Sequence, residues 1–166
     1  MIQRISPFLW FDDQAEEAVE FYVSVFENSR IVTVSRRGDG GTGSAVMGVT
    51  FELDGLRLQA FNGGPGFRFT EAVSLIVHAE TQEEIDRLWQ RLTEGGEPSR
   101  CGWLKDRYGL SWQIVPPVLL ELLADPDPVR AGRAMMAMLG MSKLDIAALR
   151  AAADGPGTEH GAPPGY

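Results

Sequence analysis

Cysteine occurs once, at Cys101, and histidine only twice, at His78 and His160, in a chain of 166 residues. A single cysteine rules out an internal disulfide and suits a reducing compartment, so a cytoplasmic location is expected. Metal centres are assembled from several converging His, Cys, Asp or Glu side chains, and two histidines leave little to build one from. His78 reads as a partly exposed residue at a strand end, and His160 falls in a polar tail. Positive charge is scarce as well: 15 Lys and Arg stand against 23 Asp and Glu, a formal charge of −8. Phosphate backbones require clustered positive charge, so nucleic acid is not an expected partner. The longest apolar run, Pro116 to Leu120, is far short of the roughly 20 residues that cross a bilayer, and Met1-Ile-Gln-Arg opens no signal-peptide core. No membrane association is expected.

What is present is the composition of a globular domain, with 44% hydrophobic and 23% charged residues. A chain of this length can bury roughly 70% of its unfolded surface and needs no staple to fold. One domain is expected over residues 1–153, followed by a tail, 154–166, too rich in Gly and Pro and too poor in apolar residues to offset its ordering entropy.

The pattern along the chain is strand and helix in turn. Ile5 to Phe11 reads as a strand stopped by Asp12-Asp13, which predicts a helix cap. Ala15, Ala18, Val19, Tyr22, Val25 and Phe26 then recur at helical spacing, and Asn28 ends the helix. Arg30 to Arg37, Ala45 to Leu53 and Leu56 to Phe61 read as strands, the last two joined by Asp54-Gly55, a strong hairpin signal. The sequence starts again at Val73 to His78, a strand, followed by a helix that Thr81 and Glu84 open as a capping box and Gly95-Gly96 closes. Glu97 to Leu104 and Leu110 to Val115 supply further strands around Lys105 to Gly109. Gly55-Leu-Arg-Leu-Gln59 matches Gly109-Leu-Ser-Trp-Gln113, so the chain reads as an internal repeat of β-α-β-β-β units, about 4–66 and 70–116. Beyond Pro116-Pro117 only helices are predicted, Val118 to Ala124, Pro128 to Leu139 and Leu144 to Ala153, with Asp125 and Asp127 as breaks and caps. Met135, Met136, Met138 and Met141 in this extension read as packing or interface residues.

Few residues stand out as chemistry. Gly38-Asp-Gly-Gly-Thr-Gly43 spells a dinucleotide fingerprint, but a strand follows where the phosphate-binding helix would start, so a hairpin loop is expected. Arg100 and Lys105 could activate the Cys101 thiol, although an inert thiol, buried or half-exposed, accounts for it better. Trp10, Trp103, Tyr108 and Trp112 lie in or beside strands, and at least half should be core. Gln59 and Gln113 sit mid-strand at equivalent places in the repeat. Buried amides need partners, and these either face each other across a cavity or satisfy edge backbone groups and water.

Three stretches carry a resemblance: Pro7-Phe-Leu-Trp-Phe-Asp-Asp-Gln-Ala-Glu-Glu-Ala-Val-Glu-Phe-Tyr22, Phe61-Asn-Gly-Gly-Pro65, and Cys101-Gly-Trp-Leu-Lys-Asp-Arg-Tyr-Gly-Leu-Ser-Trp-Gln-Ile-Val-Pro116. They resemble the PhnB-like branch of the vicinal oxygen chelate superfamily, also named the 3-demethylubiquinone-9 3-methyltransferase family. The resemblance implies an α+β fold of paired β-α-β-β-β modules around a cleft, here with a C-terminal helical extension over 117–153, and a homodimer. Catalytic members of the superfamily hold a divalent metal through His, Glu or Gln on the first and last strands of each module. Those places fall on Pro7 or Phe8, Gln59, Ala72 to Ser74, and Gln113. Apolar residues and neutral amides supply no charge for a hard cation, so no cofactor is expected. The implied function is small-molecule binding in a cleft between the modules, with Gln59, Phe61, Cys101, Trp103, Lys105 and Gln113 as candidate lining residues. Alternatives are a metal-assisted isomerase, lyase or transferase, with His78 or a partner-chain residue as a further ligand, and the methyltransferase of the family's name.

Overall fold

A computed structural model describes residues 3–38 and 45–156. Most of the Gly38 to Gly43 loop, and the end of the chain with His160, lie outside the described residues. The chain divides into two compact units, Met1–Val73 with Asp106–Ser111, and Ser74–Lys105 with Trp112–Tyr166.

In the first unit, strand β1 (Phe8–Phe11), helix α1 (Ala15–Val25) and strands β2 (Arg30–Arg36), β3 (Val46–Leu53) and β4 (Leu56–Asn62) follow in turn. They form a four-stranded sheet in the order β1-β4-β3-β2, with β1 parallel to β4 and the other pairs antiparallel. The β3–β4 hairpin turns on Asp54 and Gly55, whose φ angles of 43° and 84° match the two positive values a tight two-residue turn requires. Helix α1 packs on β2, β3 and β4. Its predicted apolar stripe, Ala15, Ala18, Val19, Tyr22 and Val25, is buried, and so are the alternating residues Leu9, Phe11, Val49, Phe51, Leu53, Leu58 and Ala60 of the sheet. The period of two along each strand therefore leaves the other face of the sheet free of α1.

The start of α1 corrects one expectation. Neither Asp12 nor Asp13 caps it; Gln14 occupies the cap position without a side-chain hydrogen bond. Instead the Ala15 amide donates to Asn62 Oδ1, at the end of β4, at 2.8 Å. The orphan donor of the helix is satisfied from across the sheet, which no local sequence pattern reports.

The second unit repeats the order with β5 (Ser74–His78), helix α2 (Gln82–Thr93), β6 (Glu97–Pro98), β7 (Trp103–Lys105) and β8 (Ser111–Val115). Its sheet runs β5-β8-β7-β6, the same permutation as the first. Both units are thus β-α-β-β-β modules, as the internal repeat implies. Thr81 Oγ1 accepts from the Glu84 amide at 3.2 Å, while Glu84 Oε2 accepts from Glu80 N at 3.0 Å, so the box closes one residue earlier than its usual form. Ile85, Leu88 and Leu92 bury the apolar face of α2.

The expected strand Glu97 to Leu104 is in fact a hairpin. Its turn runs from Arg100 to Trp103, closed by Trp103 N–H to Arg100 O at 3.0 Å. Cys101 and Gly102 take φ angles of 57° and 83° at its corners. A cysteine is seldom found in that left-handed region, and its presence concealed the turn from a reading by composition.

Helices α3 (Pro117–Leu123), α4 (Pro128–Leu139) and α5 (Ile146–Asp154) complete the second unit. Asp127 caps α4 and Asp145 caps α5 through side-chain bonds to Val129 N and Ala148 N. Asp125 caps nothing; it accepts from Asp127 N and Arg130 Nε. Val115, Leu119, Leu122, Ala134, Leu144, Leu149 and Ala153 form a core, with Met138 and Met141 packed against it. Met135 and Met136 are exposed. The extension is stitched to the β6–β7 turn, because the amides of Cys101 and Gly102 donate to the carbonyls of Met141 and Ser142, both at 2.8 Å.

Candidate functional site

The face of the first sheet turned away from α1 is laid out in three rungs. Register places Phe8 beside Gln59 and Gln59 beside Thr50, and Thr50 beside Thr33. One rung on, Trp10 pairs with Phe61, Phe61 with Gly48 and Gly48 with Ser35. One rung back, Arg57 pairs with Glu52 and Glu52 with Arg30. Arg57, Gln59 and Phe61 thus follow one another along β4 at two-residue steps, roughly 7 Å each.

The aromatic rung is a cluster. Phe61 meets Phe8 at 5.7 Å and Trp10 at 5.2 Å between ring centroids, and Trp10 meets Phe67 edge-on at 5.0 Å. Trp10 Nε1 donates to Gly64 O at 2.9 Å, which fixes the indole under the Gly63-Gly64 turn. Gly63 is required there: a Cβ at this position would lie 2.0 Å from Trp10 Cζ2. Phe8 and Phe67 remain 57% and 67% exposed. Rings left open to solvent beside a polar amide are a surface on which a flat apolar group can stack.

The ionic rung holds one carboxylate between two guanidiniums. Glu52 Oε1 accepts from Arg57 at 2.6 Å and Oε2 from Arg30 at 2.9 Å. The Arg57 hydrogen bond holds the Glu52 carboxyl below its ordinary range; desolvation opposes it, and the Arg30 hydrogen bond adds to the lowering.

Of the sequence-predicted residues, Gln59 and Phe61 stand on this face. Gln59 is exposed rather than buried. The others belong to the second unit. Gln113 is half-buried and donates to Ser74 Oγ at 2.9 Å, so its amide already has a partner inside its own sheet. Trp103 and Lys105 are half-buried on β7, Cys101 is half-buried in the turn before it, and His78 is exposed. Trp112 is core at 2% exposure, while Trp10, Trp103 and Tyr108 are half-buried. The ionic rung escaped the sequence reading because its members lie 5 and 22 residues apart and meet only through strand register.

The Asp106 to Leu110 loop docks on α1. Asp106 Oδ1 accepts from Tyr108 N and Leu110 N, and Oδ2 from Tyr22 Oη at 2.7 Å. Burial, then the neighbouring Asp106, pushes the Tyr22 phenol well above its ordinary value. Tyr108 donates to Glu17 Oε1 at 2.9 Å, and desolvation, then that bond, pushes its phenol up to about 12. Arg107 lies 4.6 Å over the Phe21 ring. These groups are engaged with one another and make a structural latch.

The places that the resemblance implies for metal ligands are Pro7 or Phe8 and Gln59 in the first repeat, and Ala72 to Ser74 and Gln113 in the second. Apolar side chains, a hydroxyl and two neutral amides do not fit a hard divalent cation, which is held mainly by charged oxygen donors. Among the described residues, no group of three or more His, Cys, Asp or Glu could hold a metal ion.

A family model described as 3-demethylubiquinone-9 3-methyltransferase matches residues 3–115. A solved structure described as a putative 3-demethylubiquinone-9 3-methyltransferase, PhnB protein, from Bacillus cereus is 38% identical at a TM-score of 0.63, over 69% of this chain and 99% of that one. Protein PA1353 from Pseudomonas aeruginosa shares the fold at 20% identity and a TM-score of 0.58, over 69% of this chain and 98% of its own. So does a variant of the fosfomycin resistance protein FosX from Listeria monocytogenes, solved with Mn(II) and 1S,2S-dihydroxypropylphosphonic acid, at 20% identity and 0.53, over 74% of this chain and 99% of that one. No curated protein matches. The family match ends at Val115, so α3, α4 and α5 lie beyond it.

Proposed function

This chain belongs to the PhnB-like branch of the vicinal oxygen chelate superfamily, the 3-demethylubiquinone-9 3-methyltransferase family, and on that premise we propose that it binds a small molecule on the open face of its first sheet. The observation that carries the reading is the gradation along β4 from the Phe61 ring through the Gln59 amide to the Arg57 guanidinium, all on the face that α1 leaves free. A flat ligand stacks on Phe8, Phe61 and Trp10, and the Gln59 amide, able to donate and accept, sets its orientation.

Binding without methyl transfer is the reading that the geometry favours. An S-adenosylmethionine site of the common methyltransferase kind needs a glycine-rich turn from a strand into a helix of a parallel sheet. The glycine-rich segment here joins β2 to β3, which pair antiparallel. Metal-assisted chemistry likewise lacks charged ligands at the family's positions.

A homodimer in the cytoplasm is part of the proposal. Val129, Met135, Met136 and Leu139 of α4 are all exposed and offer apolar surface to a second copy. The single cysteine supports the location. Sedimentation equilibrium should show twice the 18.2 kDa chain mass.

The binding reading is tested by titrating planar aromatic compounds into the protein by calorimetry. Saturable binding in the micromolar range is expected, lost at least tenfold in Phe61→Ala and several-fold in Gln59→Ala. Binding unchanged by both substitutions would move the site elsewhere and overturn the proposal.

A further inference from the structure

The ionic rung specifies the ligand further. Glu52 contributes one negative charge, and the guanidiniums of Arg30 and Arg57 contribute two positive ones. The rung therefore carries a net positive charge on a chain whose formal charge is −8. Each guanidinium spends its Nε and Nη2 on Glu52. Among the described residues neither guanidinium has a further partner, which leaves the Nη1 donors of both available. The two side chains are 65% and 45% exposed, while the carboxylate between them is only 19% exposed. What the solvent meets at this end of the face is cation, not anion.

Position adds the second constraint. Arg57 stands one rung, roughly 7 Å, from Gln59, which pairs with Phe8 on the next strand, and two rungs from Phe61. A ring stacked on Phe8 and Phe61 thus has a guanidinium within reach of a short substituent at its edge. Planar guanidinium donors match a carboxylate in geometry as well as in charge.

We propose that the ligand is a planar aromatic carboxylate, its ring on the Phe8–Phe61 cluster and its carboxylate on the free guanidinium edges of Arg57 and Arg30. This inference rests on the binding reading above and goes beyond it by naming the ligand's charge and its orientation along β4.

The test compares two isosteric probes, 2-naphthaleneacetate and 2-naphthaleneacetamide, by calorimetry at low and high salt. The carboxylate should bind about tenfold more tightly than the amide at low ionic strength, and the preference should shrink as salt screens the exposed charges. Arg57→Gln should reduce the preference to no more than about twofold, because the carboxylate loses far more affinity than the amide. Glu52→Gln should act in the opposite sense, tightening the carboxylate several-fold by removing the competing anion, which a loss of folding could not do. Equal affinity for the two probes, or no response to Glu52→Gln, would overturn the inference and leave the binding reading standing. Binding of neither probe would overturn both.

Discussion

Tyr22 Oη donates to Asp106 Oδ2 at 2.7 Å in a setting where the phenol is wholly buried and the carboxyl is 3% exposed. The two residues are 84 positions apart, and the bond anchors the Asp106 to Leu110 loop to α1. Asp106 is the harder of the two to lose, because it also holds the amides of Tyr108 and Leu110. Asp106→Ala removes the acceptor of three buried or half-buried donors and should cost about 3–5 kcal/mol, whereas Tyr22→Phe removes a single donor to Asp106 and should cost about 1–3 kcal/mol. Urea unfolding of both variants checks the order. A Tyr22→Phe loss equal to that of Asp106→Ala would show that the loop amides do not depend on the carboxylate.

Alkaline pH should weaken this same latch. Both phenols have folded values raised above the ordinary value of 10.0. Above pH 10 the unfolded chain therefore releases protons that the folded chain keeps, and stability falls as pH rises. The contribution of Tyr108 is fully present below about pH 10 and is lost as pH passes 12. Absorbance at 295 nm should show two of the three tyrosines titrating late, and Tyr108→Phe should flatten the decline in urea midpoint between pH 10 and 12. An unchanged slope in that variant would remove Tyr108 from the account.

Gly63→Ala tests the aromatic rung without touching its rings. The added methyl would overlap the indole of Trp10, and the backbone of the turn is tied to that indole through Gly64 O. Overpacking of this kind costs about 1–3 kcal/mol. The variant should melt several degrees lower, shift the tryptophan emission and bind aromatic probes more weakly. By contrast Gly66→Ala, where a Cβ meets nothing within 4 Å, should leave all three unchanged.

What the sequence made legible follows the range of the forces involved. Asp54-Gly55 states its turn because two adjacent residues set two positive φ angles. Thr81 with Glu84, and the apolar stripe of α1, are likewise written within one or two helical turns. The repeat of strand order in the two units was visible as a repeat of local patterns. Long-range pairings were not: Asn62 caps α1 from 47 residues away, and Arg30 reaches Glu52 across 22. The same division holds for the site. Gln59 was legible from its place mid-strand in the internal repeat and Phe61 from the family resemblance, but the guanidinium rung beside them depends on a register that no single segment encodes. Gln113 was legible as a polar group within a strand, but Ser74, the partner that occupies it, lies 39 residues earlier.

The β6–β7 turn offers two neighbouring residues with opposite expectations. Cys101 and Gly102 both take positive φ, at 57° and 83°. At Gly102 a Cβ would lie 2.7 Å from Ile114 O and 3.0 Å from Leu144 Cδ1, so alanine meets a fixed carbonyl on one side and the core of the helical extension on the other. Its own amide and that of Cys101 also hold the Met141 and Ser142 carbonyls, and any shift that relieves the clash weakens those bonds. Gly102→Ala should therefore cost about 2–4 kcal/mol and loosen α4 and α5 together. Cys101→Asn should be neutral or stabilising by up to about 1 kcal/mol, because asparagine tolerates the left-handed region and its amide backbone keeps the bond to Met141. Hydrogen exchange separates the effects: faster exchange through α4 and α5 in Gly102→Ala, and native protection in Cys101→Asn. Native protection in Gly102→Ala would mean that the extension holds its place through its own core, independently of the turn.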